Sequence, residues 1–562
     1  MVLRSGIAWV FVFGLPSLGC TSSATSPRPE AAGGSLSPAG GTGGGTGGAT
    51  GQTTTPGDPG KNDVTFTIDT TANVHAISPY IYGSNSGDFT KEAKGLTLAR
   101  MGGNRLTAYN WETNASNAGS DWQYSNDNYM SASTTPGQAM KDATQKALGA
   151  GASIIMTVPI AGWVSADENG ACPSKPSAAQ IAQRFFPIVA KKGAAYAYPP
   201  SLSDGKIYAD EFVSYLESQF PTAQTDASHR IFYMLDNEPD LWSQTHSEIH
   251  PDPPTYAELV QKNTDFAAGI KSVAPNALVM GPVNYGWQGM VDLQGAPDAN
   301  KRDFLEFYLD SMKAAEATAG KRLLDVLDVH WYPEAQGDGK RIVDDGVTAG
   351  EVQAREQAPR SLWDKSYKED SWISVAAGVG PIYLIPRLQA KIAAHYPGTQ
   401  LSISEYNYGG GNDISGAIAQ ADVLGVFGRE GVFAAAMWPM ADKIPFIFAG
   451  FAVFRNYDGS LGAFGDTSVS ATTSSVGTSS VYASVSSKNP SNVIVVAINK
   501  ATNAQIAGFA LTHTANLVAT DVYTLTSAAS SPQKVAGLSA IATNAFVYSM
   551  PAQSVSTLVF HP

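Results

Sequence analysis

The sequence predicts an α/β chain, a (β/α)8 TIM barrel with an appended C-terminal β-sandwich. Three observations carry that prediction. Eight short apolar runs alternate with helix-like segments between about residues 75 and 450. After about residue 455 the helix signals vanish and short alternating strands replace them. Polar and aromatic residues follow seven of the eight strand candidates in succession, where a packed barrel core would want none.

The N-terminus reads as an export signal. Arg4 gives a short positive region, and Ile7–Leu15 form an apolar stretch too short to span a bilayer. Leu18-Gly19-Cys20 then resembles a bacterial lipobox, with Ser17 where a Leu is usual. Cys20 is therefore the candidate lipidation site; if it carries lipid, Cys172 stands alone and no intrachain disulfide forms. Residues 21 to about 61 are Gly, Ser, Thr, Ala and Pro with hardly a large apolar side chain, the composition of a disordered linker. Forty such residues reach roughly 35 Å as a flexible coil, which suits a surface tether.

The barrel strands are expected at Ile77–Gly83, Leu96–Gly102, Ser153–Ile160, Ile231–Asp236, Ala277–Pro282, Leu323–Val329, Gln400–Ser404 and Val432–Met437. Short unbroken apolar runs suit parallel strands covered on both faces. Capping boxes mark helix starts at Thr135-Pro136-Gly137-Gln138, Ser177-Ala178-Ala179-Gln180 and Thr255-Tyr256-Ala257-Glu258. No Gly-rich phosphate loop follows an early strand, which disfavours a doubly wound nucleotide-binding sheet. The sandwich, residues 451–562, has strand candidates at Val481–Ser486, Asn492–Asn499, Ile506–Thr512, Asp521–Thr526 and Val555–His561, and the early run Val64–Thr70, within 62–74, is expected to pair into it.

Charge and composition narrow the function classes. Thirty-six Lys and Arg against 49 Asp and Glu give a formal charge of −13 with no basic block, so no nucleic-acid partner is expected, and membrane contact only through an N-terminal lipid. Ten Trp and 23 Tyr suit sugar platforms, although large barrels also use aromatics in their cores.

Two residues carry the chemistry. Strand four ends in Asp236-Asn237-Glu238-Pro239 and strand seven in Glu405-Tyr406-Asn407, so two carboxyls face each other across the barrel mouth. Cleavage of a glycosidic bond requires such a pair. A lone Asn-Glu-Pro more often caps a helix; the second Glu at the seventh strand reverses that balance. Asn237 is expected on a sugar 2-hydroxyl, with Tyr332 and His330 orienting Glu405 and Arg105 lowering its pKa by proximity. Trp331 and Trp438 complete the expected substrate-binding set, beside Asn104, Trp163, Asn284 and Tyr285 at other strand ends. His246-Ser247-Glu248-Ile249-His250 has two His four apart, but its Glu is misplaced for a zinc protease and Pro251 breaks any helix. No metal or cofactor is required, though Asp121–Asp127 could hold a structural calcium.

Several stretches together resemble glycoside hydrolase family 44. They are Ile77-Ser78-Pro79-Tyr80-Ile81-Tyr82-Gly83, Met101-Gly102-Gly103-Asn104-Arg105, Leu235-Asp236-Asn237-Glu238-Pro239-Asp240-Leu241-Trp242, Asp328-Val329-His330-Trp331-Tyr332-Pro333, Ala358-Pro359-Arg360-Ser361-Leu362-Trp363-Asp364 and Ser404-Glu405-Tyr406-Asn407-Tyr408-Gly409. The resemblance runs from about residue 62 to the C-terminus. It implies a barrel with a β-sandwich, a retaining mechanism and endo-action on β-1,4-glucans such as xyloglucan and carboxymethylcellulose. By motif it makes Glu238 the acid/base and Glu405 the nucleophile. The expectation is a secreted or surface-tethered, monomeric β-glucan hydrolase. Two alternatives stay open: a retaining barrel hydrolase acting on mannan or xylan, and a non-catalytic glycan-binding surface lipoprotein.

Overall fold

The computed structural model describes residues 53–562; Cys20, the export signal and most of the expected linker lie outside them. Eight strands close a parallel barrel in sequence order: β1 (Gly83–Ser84), β2 (Leu98–Met101), β3 (Ser153–Val158), β4 (Ile231–Leu235), β5 (Val279–Asn284), β6 (Val326–Trp331), β7 (Gln400–Tyr406) and β8 (Ala434–Met437), which pairs back to β1. Seven coincide with expected strands, whereas β1 is two residues long and meets the first expected run, Ile77–Gly83, only at Gly83. The middle of that first run is a helical turn, Pro79–Ile81, and its Tyr80 packs with Leu98, Ile155, Phe232, Met280, Val326 and Ala434.

Outside the barrel lie α1 (Gln138–Gly149), α2 (Ala209–Gln219), α3 (Tyr256–Val273), α4 (Phe304–Ala319), α5 (Leu384–His395), α6 (Ile414–Arg429) and α7 (Pro445–Arg455). Thr255 caps α3 by accepting from Glu258 N, and Ser177 with Gln180 closes a full capping box on the short helix Ala178–Arg184. The box expected at Thr135 does not form. α1 begins instead from Gly137, whose φ of 69° puts it in the left-handed region, and no side chain caps it.

The inward positions change character along the strands. Toward their starts they are apolar. Two residues further on, Leu98 gives way to Arg100 and Val326 to Asp328, with His330 beyond, all three buried. The interior thus turns polar at the strands' C-terminal ends, where catalytic groups of such barrels sit.

The C-terminal region adds β9 (Thr467–Thr473), β10 (Ser479–Ser486), β11 (Asn489–Asn499), β12 (Gln505–Thr512), β13 (Ala519–Thr526), β14 (Ala529–Val535), β15 (Ala545–Met550) and β16 (Ser554–His561). They form one sheet in the order β14-β13-β16-β11-β10-β9, then the early strand Val64–Asp69, then β12-β15. Val64–Asp69 pairs antiparallel with β9 and parallel with β12. The sheet closes over itself: Phe560 of β16 meets Phe509 of β12 at 5.7 Å and Phe546 of β15 at 4.9 Å, though these strands are not neighbours. Residues 53–61, the end of the segment expected to be linker, lie against this sheet, with Thr54 N donating to His513 O and Gly57 N to Thr543 O.

The barrel and the sheet meet through α6 and α7. Asp422 of α6 is buried between Lys500 Nζ and Tyr482 OH, each at 2.6 Å. Gly425 lets the Tyr482 ring lie on the helix, since a Cβ there would stand 2.2 Å from the ring. Among the described residues no helix is long and apolar enough to cross a membrane.

Candidate active site

Glu405 reaches the barrel interior through an irregularity in β7. Val329 pairs with Ile403, but the next residue, His330, pairs with Glu405, so β7 carries one extra residue. A strand alternates faces, and a bulge re-aims the side chains beyond it. Ser404 and Glu405 consequently both point inward: Ser404 Oγ donates to Asp328 Oδ2 at 2.6 Å, and Glu405 Oε1 accepts from Arg100 Nη1 at 2.6 Å. Tyr332 OH donates to Glu405 Oε2 at 2.9 Å.

Glu238 follows β4 in a left-handed conformation, φ 44° and ψ 57°. Asp236 and Val283 beside it also have positive φ, 70° and 65°. Non-glycine residues hold such angles only where their surroundings impose them. Here the constraint is visible. Asp236 is fully buried and its oxygens accept from Thr107 Oγ1, Asn237 N, Trp242 Nε1, Ile160 N and Ala161 N. Glu238 N donates to Val283 O at 3.0 Å, fixing the turn on β5.

His330 lies between the two glutamates. Its Nε2 faces Arg100 Nη2, a pure donor, at 3.3 Å. Nε2 therefore accepts and Nδ1 carries the proton. Nδ1 donates to Glu238 Oε1 at 2.8 Å and stands 3.4 Å from Glu405 Oε2. Burial pushes the imidazole down to about 4, aided by Arg100 and opposed by Glu405, so the ring is neutral at ordinary pH. Burial pushes the Glu238 carboxyl up to about 8 against the pull of Arg100, with Asp121 adding to the rise.

One oxygen each of Glu238 and Glu405 and an imidazole nitrogen of His330 lie within 4.8 Å of one another. That spacing would admit a cation, but the donor set does not fit one. The imidazole nitrogen facing the carboxylates bears hydrogen, and the Arg100 guanidinium already occupies Glu405.

Arg100 is the residue that sequence reasoning missed. Fully buried, it also donates to Asn85 Oδ1 and Asn237 Oδ1, each at 2.8 Å. The Gly102-Gly103 pair makes room for this arrangement. A Cβ on Gly102 would stand 2.3 Å from the Arg100 guanidinium, and one on Gly103, whose φ is 89°, would meet the Trp438 ring at 2.7 Å. Gly103 N joins Arg100 in donating to Asn237 Oδ1, which leaves the Asn237 amide nitrogen as the free end.

The other expected site residues divide. Tyr332, Asn237 and half-buried Trp438 converge on the mouth, and Tyr285 stands 6.3 Å from Tyr332. Arg105 does not touch Glu405; both its terminal nitrogens go to Asp127, at 2.6 and 3.1 Å, and its guanidinium lies 4.3 Å from the centre of the exposed Tyr129 ring. It lies one helical turn beyond the strand, whereas Arg100 is inside it. Trp331 is 1% exposed and belongs to the apolar core, so it touches no substrate; strand alternation turns it away from the interior that His330 faces. Nor does His330 chiefly orient Glu405; its short bond goes to Glu238. Asp127 is taken by Arg105 and Asp121 Oδ1 by Asn104 Nδ2, so the Asp121–Asp127 loop offers no converging acids for calcium. His246 is buried on Glu248 and the Asn104 carbonyl, and His250 on Glu258, so these two do not form a zinc pair.

Comparison with known proteins decides the family. The model of glycoside hydrolase family 44 matches residues 115–335. Endoglucanase A of Paenibacillus lautus is 42% identical over 513 residues, 89% of this chain and 72% of that protein. The chain belongs to glycoside hydrolase family 44. A solved family 44 xyloglucanase from Paenibacillus polymyxa, in complex with xyloglucan, superposes with a TM-score of 0.84 at 39% identity, covering 89% of this chain and 99% of that one. The family 44 endoglucanase of Clostridium thermocellum gives the same score and identity over 89% and 100%. A β-mannanase/endoglucanase A of Caldicellulosiruptor saccharolyticus is 39% identical over 87% of this chain, which spans 38% of that longer protein. As a family 44 member the chain is a glycoside hydrolase, and its barrel with a separate β-rich region is the family's architecture.

Proposed function

We propose that this family 44 enzyme is a retaining endo-β-1,4-glucanase acting on xyloglucan and related cell-wall glucans. The observation that carries the reading is the carboxyl pair at the ends of β4 and β7, close enough that an oxygen of Glu238 lies within 4.8 Å of one of Glu405. Retaining glycosidases hold their carboxyls about 5–5.5 Å apart, and inverting ones about 6.5–9.5 Å, to admit a water. The relatives named endoglucanase and xyloglucanase support the substrate class.

The two environments assign the roles. Glu238, with its raised pKa, protonates the glycosidic oxygen as that bond breaks. Glu405, its oxygens held by Arg100 and Tyr332, attacks the anomeric carbon and forms a glycosyl ester. Glu238, now ionised, takes a proton from water, whose oxygen displaces Glu405 and restores both groups. His330 N–H steadies Glu238 in its charged phase, and the free amide of Asn237 donates to the sugar 2-hydroxyl. Trp438 supplies an apolar face for a sugar ring.

Reducing-end release from xyloglucan, carboxymethylcellulose, glucomannan and xylan tests the reading, with the anomer first released followed by NMR. β-Anomer from the first two substrates, lost by orders of magnitude in Glu405→Gln, is expected. α-Anomer would end the retaining mechanism. Activity confined to glucomannan or xylan would replace the substrate, an outcome given weight by the relative named β-mannanase/endoglucanase. Intact glycan binding without turnover would favour a lectin. Export, lipidation at Cys20 and a monomeric state remain part of the proposal, resting on residues 1–20 and on the endo-acting reading; labelled-palmitate incorporation and gel filtration test them.

A further inference from the structure

The segment His246–His250, singled out in the sequence for its two His, takes no part in the chemistry above. His246 and Glu248 are fully buried, with Nδ1 of His246 2.8 Å from Glu248 Oε1 and Nε2 2.8 Å from the Asn104 carbonyl. A carbonyl only accepts, so Nε2 bears hydrogen. Nδ1 in turn donates to Glu248 Oε1, setting a charged ring against a carboxylate whose second oxygen has no partner.

The ring is wedged between two parts of the barrel mouth. On one side is Asn104, which opens the helical turn Asn104–Thr107 after β2. On the other is the turn Gly119–Trp122. A Cβ on Gly119, whose φ is 54°, would stand 3.0 Å from the His246 ring and 2.4 Å from Thr245 O. Asn104 Nδ2 donates to Asp121 Oδ1 at 3.0 Å, tying the two turns together, and the next residue, Trp122, is 56% exposed. His246 is also tied to the acid/base turn: its N–H donates to Trp242 O, and Trp242 Nε1 donates to Asp236, which holds Asn237.

We propose that His246 and Glu248 are positioning residues, a buried pin that fixes the cleft wall of Asn104, Asp121 and Trp122 relative to Glu238. The wall then presents a carboxylate and an aromatic face to a sugar at a set distance from the bond being cut. This deepens the glucan-hydrolase reading and rests on it. The pin sits in front of no reacting atom, so it acts on substrate placement rather than on bond cleavage.

The test is the double variant His246→Leu/Glu248→Leu, which removes both charges together and leaves neither orphaned. Its control is Lys271→Met, at a buried pair with Asp325 far from the mouth. The double variant is expected to raise KM for the soluble polymer about tenfold with kcat within threefold, and to change the lengths of the oligosaccharides released. Lys271→Met lowers Tm but leaves KM and product lengths unchanged. A folded double variant with wild-type KM and products, or an equal KM rise in Lys271→Met, overturns the proposal. If the double variant does not fold, Asn104→Ala cuts the same wall at its outer tie and is expected to raise KM likewise; an unchanged KM there also overturns it. Hydrogen exchange over residues 104–124, faster in the double variant but not in Lys271→Met, reads the pin without substrate. A wild-type enzyme inactive on every glucan would thus defeat the substrate reading while leaving the pin separately testable.

Discussion

Replacing Glu238 by Gln separates its electrostatic cost from its catalytic use. In the folded protein the carboxyl titrates near 8, against an ordinary value of 4.5, because burial disfavours the anion. Below pH 4.5 both folded and unfolded chains hold the proton. Between 4.5 and 8 only the unfolded chain releases it, so wild-type stability falls as pH rises. Each unit is worth about 1.36 kcal/mol, and the three units from pH 5 to 8 amount to about 4 kcal/mol. The amide of the Glu238→Gln variant has no such proton to release, so the variant gains by that amount relative to wild type. Unfolding entropy of about 2.1 cal/mol/K per residue, over some 500 folded residues, makes 1 kcal/mol equal to about 1 °C. The Tm gap between variant and wild type should therefore widen by about 4 °C from pH 5 to pH 8 in scanning calorimetry. His330, depressed to about 4, has the opposite slope below pH 6.5, but both proteins share it and it cancels in the difference. Turnover of the polymer should fall by about 10²–10⁴-fold in the same variant. A gap constant to within 1 °C, or one that narrows, would refute the assignment of Glu238 as a carboxyl kept protonated by burial.

Arg100→Met leaves Glu405 buried without its counter-charge and should cost about 3–5 kcal/mol in guanidinium-chloride unfolding, together with most of the activity. Loss of activity without loss of stability would assign Arg100 to substrate instead. Lys500→Met strands Asp422 between α6 and the C-terminal sheet and should cost a similar amount, whereas Lys500→Met/Asp422→Leu should recover most of it. Equal losses in the single and double variants would mean that packing, not charge, holds that contact.

The barrel was legible because a parallel strand covered on both faces must be apolar throughout, and eight such runs at helix-length spacing admit few other closures. Strand-end reading found Glu238 and Glu405 for the same reason. It missed Arg100, which stands inside a strand. The available signal was a charged residue in a run predicted to be buried on both faces, two positions after Leu98 and hence on the same side. The misassignment of Trp331 came from treating every residue at a strand end alike, when alternation sends His330 inward and Trp331 outward. Alternation alone would also have misdirected Glu405, because the extra residue in β7 leaves no mark in the sequence. β9 carries little strand signal because Thr, Ser and Ala dominate it, and Pro532, Gln533 and Lys534 blur β14. Such strands are held by their neighbours more than by their own pattern, whereas β15, with Phe546, Val547 and Tyr548, does bear a strand-like composition.

The early strand Val64–Asp69 has a consequence for how the chain is made. Its partners β9 and β12 begin at Thr467 and Gln505, about 400 residues later. At a synthesis rate of about 5–20 residues per second, the strand emerges some 20–80 s before either partner exists. Its inward residues Val64, Phe66 and Ile68 stay uncovered for that interval, while the whole barrel is being laid down behind them. The catalytic region can close before its C-terminal companion, but the first folded-state contacts of the N-terminal strand are among the last to form. A chain cut before Thr467 would therefore leave Val64, Phe66 and Ile68 without the strands that cover them.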